Sequence, residues 1–351
     1  MPAETMVQTR NDMPQSRGRQ RAVAILGALS LLAIAAVLCA CAVGSVALSL
    51  PELFSAIGEL VHGSATTLAA SLLELRLGRA LSAFVTGATL ALAGVMMQAL
   101  LRNPLADPYV LGVSGGAAVG ALAAMLLMAA SWLIDLAAFG GAVAVALVLY
   151  GLARRDLRGS SGSDGNASLL LLTGVIVASG CGALVTLMLS IAPDSRLRGM
   201  VFWLIGDLSG TQNRWLPWLV LVAALLFATR VARSVNLLAL HAEAAATLGV
   251  RVSALRQGLF FCAALLTASA VSSAGSIGFV GLIVPHACRF ALGPDHRLLL
   301  PAATLTGGTF LVLADTLART VLAPQQLPVG VITALIGVPV FLLQLHHIHK
   351  K

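Results

Sequence analysis

The chain has 351 residues, of which 58% are hydrophobic and only 10% are charged. This composition excludes an ordinary soluble globular domain. Apolar runs recur along the whole length, so the sequence predicts an all-α polytopic membrane protein embedded in a lipid bilayer. The formal net charge is +8, but the basic residues lie between the apolar runs, where membrane topology explains them. We therefore expect no nucleic-acid partner.

The usage of Lys and Cys excludes two further kinds of site. Only two Lys occur, Lys350 and Lys351, whereas a phosphate-binding loop of the G-x-x-x-x-G-K-[ST] type needs a Lys after a strand. Any ATP hydrolysis must therefore come from a separate chain. The Cys residues lie within or beside apolar segments and lack C-x-x-C spacing, so we expect no disulfide framework, no metal site and no cofactor. They are Cys39, Cys41, Cys181, Cys262 and Cys288.

The chain begins with a polar stretch. Residues 1–21 contain four Arg and are predicted to be a disordered cytoplasmic tail. The apolar run that follows, 22–48, is longer than the apolar region of a secretory signal, which spans about 7 to 15 residues. It is therefore predicted to be the first membrane helix. Residues 22–351 are predicted to form a single transmembrane domain.

Nine further apolar segments bring the number of predicted membrane helices to about ten. The eighth is the weakest, because it is short and contains Pro285, His286 and Arg289. The nine segments span about 77–100, 109–129, 133–153, 169–191, 215–231, 254–274, 277–292, 299–322 and 329–346.

The distribution of basic residues orients these helices. With the N-terminus inside, the inner segments hold 16 of the 22 Lys and Arg residues, and the outer segments hold the other 6. This asymmetry follows the positive-inside rule and places both termini in the cytoplasm. All four Trp fall at or near outer-side turns, as expected of interfacial anchors. The inner segments are 1–21, 101–107, 154–168, 230–256, 289–298 and 347–351.

Three connecting stretches are longer than simple turns. On the outer side, residues 51–74 are predicted to form an amphipathic helix along the membrane surface. Residues 193–213 contain MVFWLIGDL, which is too short to span and is predicted to be a capped half-helix or a re-entrant piece. On the inner side, residues 154–166 are predicted to be a flexible Gly/Ser linker.

A polar stretch from Ser234 to Arg256 separates two long apolar segments on the inner side. Residues 241–248 are rich in helix formers, and Gly249 stands where a helix would stop. A helix of about two turns does not persist in water by itself. We therefore expect a partner protein to hold it.

The sequence RNPLADP at 102–108 connects the second and third predicted helices. Pro104 and Pro108 fix φ, and they bias Asn103 and Asp107 away from the helical conformation. A rigid inner-side turn is one interpretation. The other is that this turn also braces the partner-binding surface.

Small residues crowd the predicted helices, for example Gly174, Ser179 and Gly180. They let helix backbones approach closely, so tight packing is the simpler interpretation and a wide, chemically neutral pathway is the other.

A weak internal similarity links PYVLGVSGG at 108–116 with GFVGLIVPH at 278–286, the segment that contains Pro285 and His286. Inverted repeats of this kind are common in transporters, whose binding sites lie at the repeat interface.

Charged residues on the outer side predict a docking surface. Asp315 and Arg319 lie four residues apart on one helix face. A lone charge at mid-bilayer costs roughly 2.5–3.5 kcal/mol, so we expect Asp315 to orient an outward-presented Arg319. Arg76 and Arg79 are predicted to open the second helix at the same surface. The three arginines depart from the positive-inside trend, and docking of an acidic soluble partner would explain them. Solvated helix ends are the alternative.

Two other functions stay open on these residues. An ion-coupled secondary transporter would bind its coupling ion through carboxylates within the membrane, and Asp315 is the one strong candidate. An intramembrane serine protease would need Ser114, in the G-V-S-G string, within hydrogen-bond reach of a base such as His286.

Three long segments, in order, resemble the FecCD permeases, which are the membrane subunits of ATP-binding-cassette (ABC) importers for iron-siderophores, haem and vitamin B12. Residues 76–120 are similar to the family signature, and residues 275–342 are similar to its C-terminal half. Residues 237–250 (LLALHAEAAATLGV) resemble the cytoplasmic coupling loop, with an E-A-A-x-x-x-G spacing that runs from Glu243 to Gly249.

The resemblance implies a type II ABC importer permease fold and a set of partners. The expected assembly is a homodimer with the pathway at its centre, two copies of a separate ATPase, and a periplasmic binding protein that delivers a metal chelate. The chain would lie in the bacterial inner membrane and would have no catalytic residues of its own. Transport would proceed by alternating access.

The resemblance also implies residue roles. Arg76, Arg79 and Arg319 would receive acidic residues of the binding protein, although Gly78 stands where proline is usual. Siderophore, haem and cobalamin permeases share these motifs, so the sequence leaves the cargo open. Coupling to the ATPase would fall to Leu240, His241, Glu243, Ala244, Ala245, Leu248 and Gly249.

Overall fold

The computed structural model describes residues 13–44, 46, 49–63, 66–158, 165–209 and 215–349, and its regular secondary structure in these ranges is entirely helical. A 3₁₀ turn at Pro108–Leu111 separates α3 from α4. The helices are α1 (Met13–Ala42), α2 (Leu50–Val61), α3 (Leu68–Leu101), α4 (Val113–Leu126), α5 (Ser131–Arg158), α6 (Gly165–Ile191), α7 (Asp194–Ile205), α8 (Trp215–Leu240), α9 (Ala242–Thr247), α10 (Val252–Ala274), α11 (Val280–Leu292), α12 (His296–Thr320) and α13 (Val329–His349).

Ten of these helices correspond to the ten predicted membrane segments. Within the described ranges, seven are long and apolar enough to cross a membrane, namely α1, α3, α5, α6, α8, α10 and α12. The other three, α4, α11 and α13, are shorter apolar helices. The predicted all-α polytopic fold is therefore confirmed. The eighth segment, predicted to be the weakest, is α11, which has 13 residues and contains Pro285.

Two helices begin earlier than the sequence predicts. Helix α1 begins at Met13, within the predicted disordered tail, and the rest of that tail lies outside the described residues. Helix α3 begins at Leu68, where the Thr67 side chain accepts a hydrogen bond from the amide of Ala70. Arg76 and Arg79 therefore lie inside a 34-residue helix and do not open it. Arg76 and Arg79 interrupt the apolar sequence pattern, but the helix continues through both positions.

The buried centre of the bundle is α3, whose glycines lie directly against the backbones of α11 and α12. A Cβ atom at Gly87 would collide with the backbone of Gly307, and one at Gly94 would collide with the backbone of Gly281. No side chain separates the helices at these two points. Close packing of this kind holds membrane helices together where lipid offers no hydrophobic force.

The predicted connecting stretches have different outcomes. In the stretch 51–74, α2 begins with a capping box, in which Ser49 and Glu52 bond each other's backbone amides. The end of that stretch belongs to α3. Helix α7 forms the short helix predicted within 193–213. The centre of the predicted linker, residues 159–164, lies outside the described residues.

We predict that Gly94→Val destabilises the bundle by about 1–3 kcal/mol, because the new side chain overpacks a backbone contact. The measurement is the thermal unfolding midpoint in detergent micelles. Gly27→Val is the matched control, because Gly27 is also helical and a Cβ there meets nothing within 4 Å. Equal midpoints for the two variants would contradict the importance of the α3–α11 contact.

Candidate functional sites at the two ends of the bundle

The bundle has two ends, each with its own polar groups. At the Asp315 end, α1 and α12 finish and α3 begins. At the opposite, Gly249 end, α3 and α8 finish, α12 begins, and the short helix α9 lies. Most of the predicted site residues lie at these two ends.

At the Asp315 end, one buried carboxylate holds two arginines. Arg79 donates from Nε to both Asp315 carboxylate oxygens, at 3.1 and 3.0 Å, and from Nη2 to Oδ1 at 2.8 Å. Arg319 Nε lies 3.2 Å from Asp315 Oδ2. Only 1% of Asp315 is exposed. The predicted pairing of Asp315 with Arg319 is therefore present, with Arg79 as a further partner.

Two arginines also bind the end of α1. Arg76 Nη1 donates to the carbonyls of Cys41 and Ala42 at 3.1 and 3.3 Å, and its Nη2 donates to Val46 O. Arg319 Nη2 donates to Ala40 O at 3.2 Å. These carbonyls have no partner within the helix, and the helix dipole is negative there, so cations are favoured.

The expectation of an outward-presented Arg319 is wrong in this conformation. Arg319 and Arg76 are 5% and 7% exposed. The physical reason is that α3 extends beyond Arg76 to Leu68, and α1 supplies carbonyl acceptors that draw the guanidinium groups inward. Access from outside is through a cavity of about 300 Å³, lined by Gly44, Val46, Leu72, Leu75, Arg76, Arg79, Ser209, Arg319 and Gln326.

A larger cavity of about 560 Å³ opens at the same end. Its wall combines hydroxyl groups, carboxylates and one guanidinium, that of Arg198, whose Cζ lies 5.4 Å from the centre of the Phe202 ring. Sequence reasoning missed this cavity, because its lining comes from five separate segments and forms no local motif. The polar residues that line it are Ser131, Asp135, Ser195, Arg198, Asp207, Ser209 and Ser273.

The RNPLADP segment forms the predicted turn. Asn103 Oδ1 accepts from the amide of Leu105 at 2.9 Å, and Asp107 Oδ1 accepts from the amide of Tyr109 at 2.7 Å. Pro104 is exposed. Burial raises the pKa of Asp107 to about 6, against the lowering effect of that backbone hydrogen bond. The bracing of a partner surface stays a prediction.

The two similar segments, 108–116 and 278–286, lie side by side. The Pro108 ring lies against Gly281. Next to it, the Tyr109 hydroxyl donates to Ile277 O at 3.0 Å and accepts from Ile277 N at 3.1 Å. The two similar segments thus contact each other, and beside this contact one tyrosine side chain bonds both the amide and the carbonyl of Ile277.

The protease hypothesis finds no support in the geometry. Ser114 Oγ lies 2.8 Å from Ser276 Oγ. His286 Nδ1 is buried and has no hydrogen-bond partner among the described residues. A serine nucleophile requires a base within hydrogen-bond reach, and Ser114 has a second serine in that place. Pro285 is buried within α11.

The predicted pathway face of α6 divides into two parts. A Cβ at Gly174 would meet the backbone of Val110 and Leu111, so Gly174 serves close packing. Ser179 and Gly180 are exposed, and a Cβ at Gly180 would meet nothing within 4 Å. Ser179 Oγ bonds Val175 O of its own helix at 2.9 Å. A pathway role thus stays a prediction for Ser179 and Gly180.

At the Gly249 end, α9 is a six-residue helix with one buried face. Ala242 and Ala245 are buried, whereas His241, Glu243 and Ala244 are exposed. Leu240 and Leu248, one on each side of α9, are both 65% exposed. Gly249 ends the helix with a φ of +83°, in the left-handed region that favours glycine. The short helix and its stop are as predicted.

A hydrogen-bond network ties α8, just before α9, to the start of α12. Asn236 Nδ2 donates to Asp295 Oδ1 at 2.7 Å, and the amide of His296 donates to Asn236 Oδ1 at 2.9 Å. Arg102, at the end of α3, donates to Leu240 O at 3.3 Å. Sequence reasoning missed these links, because they join residues more than 50 positions apart.

A bundle of about ten apolar helices, with an arginine-lined cavity at one end and an exposed short helix at the other, has the architecture expected of a multi-pass transport permease. The chain belongs to the FecCD transport family, whose model matches residues 31–347. It is a permease subunit of an ABC importer. The alternative of ion-coupled transport is not favoured, and Asp315, its one strong candidate, is occupied by Arg79 and Arg319.

Named relatives and a solved structure agree with this assignment. The cobalamin import system permease protein BtuC of Halobacterium salinarum is 46% identical over 275 residues, which cover 76% of this chain and 71% of the relative. The vitamin B12 import system permease protein BtuC of Shigella boydii is 38% identical over 333 residues, 93% of this chain and 95% of the relative. An inward-facing metal-chelate type ABC transporter is similar with a TM-score of 0.80 and 29% identity, over 92% of this chain and 99% of that one.

We predict that Tyr109→Phe destabilises the protein by about 1–3 kcal/mol, because it leaves the buried amide and carbonyl of Ile277 without their partner. The thermal unfolding midpoint in detergent micelles measures the loss. Tyr150→Phe is the matched control, since the Tyr150 hydroxyl makes one long contact, 3.5 Å to Gln257 Oε1. A Tyr109 variant as stable as the control would contradict the interpretation of this contact as a clamp between the two similar segments.

Proposed function

We propose that this chain is the permease of a cobalamin importer. The observation that carries this choice is the similarity to two cobalamin (vitamin B12) permeases, at 46% and 38% identity. The sequence motifs by themselves left iron-siderophores and haem open as cargo. The permease works as a homodimer with two copies of a separate ATPase and a periplasmic binding protein.

The Gly249 end faces the cytoplasm in this proposal, and both chain termini lie on that side of the inner membrane. The support is the excess of basic residues in the predicted inner segments, 16 against 6, because the connections between helices that belong to these segments lie at the Gly249 end where they are described. The Asp315 end then faces the periplasm, where its arginines meet acidic residues of the binding protein. Arg79 is the most accessible of the three, with 11% of its side chain exposed, and its Nη1 donates to Gln326 Oε1 at 2.7 Å.

The exposed face of α9 is the proposed contact with the ATPase. Six helical residues are too few to be stable in water, and Leu240 and Leu248 expose apolar surface at both ends of the helix. Closure of the ATPase pair on ATP would move α9. The Asn236 network would pass the movement to α12, and so bias the permease between its outward-open and inward-open states.

The pathway runs between the two permease copies in this proposal. Ser179 and Gly180 on the exposed face of α6 offer small, uncharged groups to such a path. The larger cavity at the Asp315 end, with its mixture of hydroxyl, carboxylate and guanidinium groups, would lie at the periplasmic entrance.

Uptake measurements test the proposed cargo. Cells that lack their own cobalamin permease, supplied with this chain and its cognate ATPase and binding protein, should accumulate labelled cyanocobalamin in an ATP-dependent manner. Ferric siderophores and haem serve as comparison cargoes. Accumulation of either of these without cobalamin would overturn the choice of cargo while leaving the importer class intact.

We predict that Glu243→Arg lowers the affinity for the ATPase about tenfold, a loss of roughly 1.4 kcal/mol, because it reverses a charge on the exposed face of α9. Co-purification with the ATPase measures the effect, because this readout does not depend on docking at the Asp315 end. Glu74→Arg is the control, since it makes the same change at an exposed position on the opposite end of the bundle. Retention of the ATPase by both variants would count against the coupling role of α9.

A further inference from the structure

The cluster at the Asp315 end has more cations than anions. Three guanidinium groups, those of Arg76, Arg79 and Arg319, line one cavity, and Asp315 is the single carboxylate that pairs with them among the described residues. The acceptors that the structure gives Arg76 are backbone carbonyls. Buried charges are stable when they are paired and hydrogen-bonded. The cluster therefore lacks counter-charge.

The single carboxylate is shared unequally. Asp315 makes three hydrogen-bonding contacts to Arg79. Arg319 Nε approaches the same carboxylate to 3.2 Å, but this nitrogen makes no hydrogen bond to any of the described residues. Arg319 is 5% exposed, so a buried N–H donor of a charged side chain is left unsatisfied beside the cavity. Because an unsatisfied buried donor costs free energy, binding of another hydrogen-bond acceptor to Arg319 Nε would be favourable.

The cavity can admit that acceptor. Its volume is about 300 Å³, and its rim includes Leu75, which is 71% exposed, and the exposed Gln326. A carboxylate side chain is much smaller than this space. Arg319 lines the cavity, so a carboxylate that enters from the Asp315 end would meet this side chain.

We propose that Asp315 is an internal competitor for the docking arginines, and that a carboxylate of the delivery protein takes Arg319 from it in the outer cavity. This inference rests on the proposed docking of an acidic binding protein at the Asp315 end. It assigns Asp315 a positioning role: in the free permease it holds Arg79 and Arg319 inward, and on docking it keeps Arg79 while Arg319 changes partner.

The exchange has a physical advantage over docking to exposed arginines. The guanidinium groups have already lost most of their water in the free permease, so docking has to dehydrate only the incoming carboxylate. The exchange of partners by Arg319 would also affect the end of α1. Arg319 Nη2 holds Ala40 O, and Arg76 holds the next two carbonyls. A shift of Arg319 toward a new partner would release one carbonyl, Ala40 O, at the end of α1.

Chemical rescue by acetate tests the exchange on the purified permease without ATPase, binding protein or cargo. Asp315→Gly removes the internal carboxylate, and sodium acetate is then compared with sodium chloride at equal ionic strength. We expect acetate to raise the unfolding midpoint of this variant in a saturable manner. Asp315→Glu keeps the internal carboxylate and should gain less from acetate than the glycine variant, as should Asp194→Asn, which makes an equal charge change at an exposed position and leaves Asp315 in place.

Asp315→Asn covers the case in which the glycine variant does not fold, because it keeps the shape of the side chain while removing its charge. No preference for acetate over chloride in either neutral variant would overturn the proposal. Such a failure leaves the proposed transport function untouched, since this assay involves no transport. A failure of cobalamin uptake would likewise leave the acetate result standing.

The affinity of the permease for the binding protein distinguishes two roles of Asp315, because removal of its charge changes that affinity in opposite directions. If Asp315 competes, Asp315→Asn should bind the purified periplasmic binding protein about tenfold more tightly than wild type, a gain of roughly 1.4 kcal/mol. If Asp315 only orients the arginines, the same variant should bind more weakly. Weaker binding, with Asp194→Asn unchanged, would refute the competitor role.

Discussion

The close contact between α3 and α12 at Gly87 and Gly307 sets the register on which the Asp315 end depends. The two helices run in opposite directions, and Arg79 and Asp315 each lie eight residues from the glycine contact (79 to 87 and 307 to 315). Eight residues span about 12 Å of helix. The glycines therefore bring Arg79 to the height of Asp315, and the 2.8 Å ion pair is a consequence of backbone packing.

Helix α12 also connects the two ends of the molecule. It has 25 residues, about 37 Å at 1.5 Å per residue, with Asp315 and Arg319 near its last turns and His296 at its start. The Asn236 network joins that start to α8, and α8 leads directly into α9. A displacement of α12 at either end would thus be felt at the other. This is a geometric basis for communication between the proposed docking surface and the proposed ATPase contact.

The sequence alone predicts those structures that depend on interactions between residues close together in the chain. Long apolar runs predict membrane helices, since lipid demands internal backbone hydrogen bonding, and all ten predicted segments are helical. The short helix α9 was also predictable, because helix formers precede Gly249. In contrast, the burial of Arg76 depends on carbonyls of Cys41 and Ala42 that are about 35 residues away. The pairing of Arg79 with Asp315 spans 236 positions. No local pattern encodes such contacts.

The glycine face of α3 has a consequence for biogenesis. Its principal partner, α12, begins 195 residues after α3 ends (101 to 296), so it is synthesised much later. At roughly 5–20 residues per second, α3 waits about 10 to 40 s in the bilayer before α12 emerges from the ribosome. Small apolar side chains make this delay harmless, because lipid solvates them as well as a protein interior does. Lipid does not solvate the guanidinium groups of Arg76 and Arg79 in the first half of α3 in this way. The terminal carbonyls of α1, which is already synthesised, are acceptors available to Arg76.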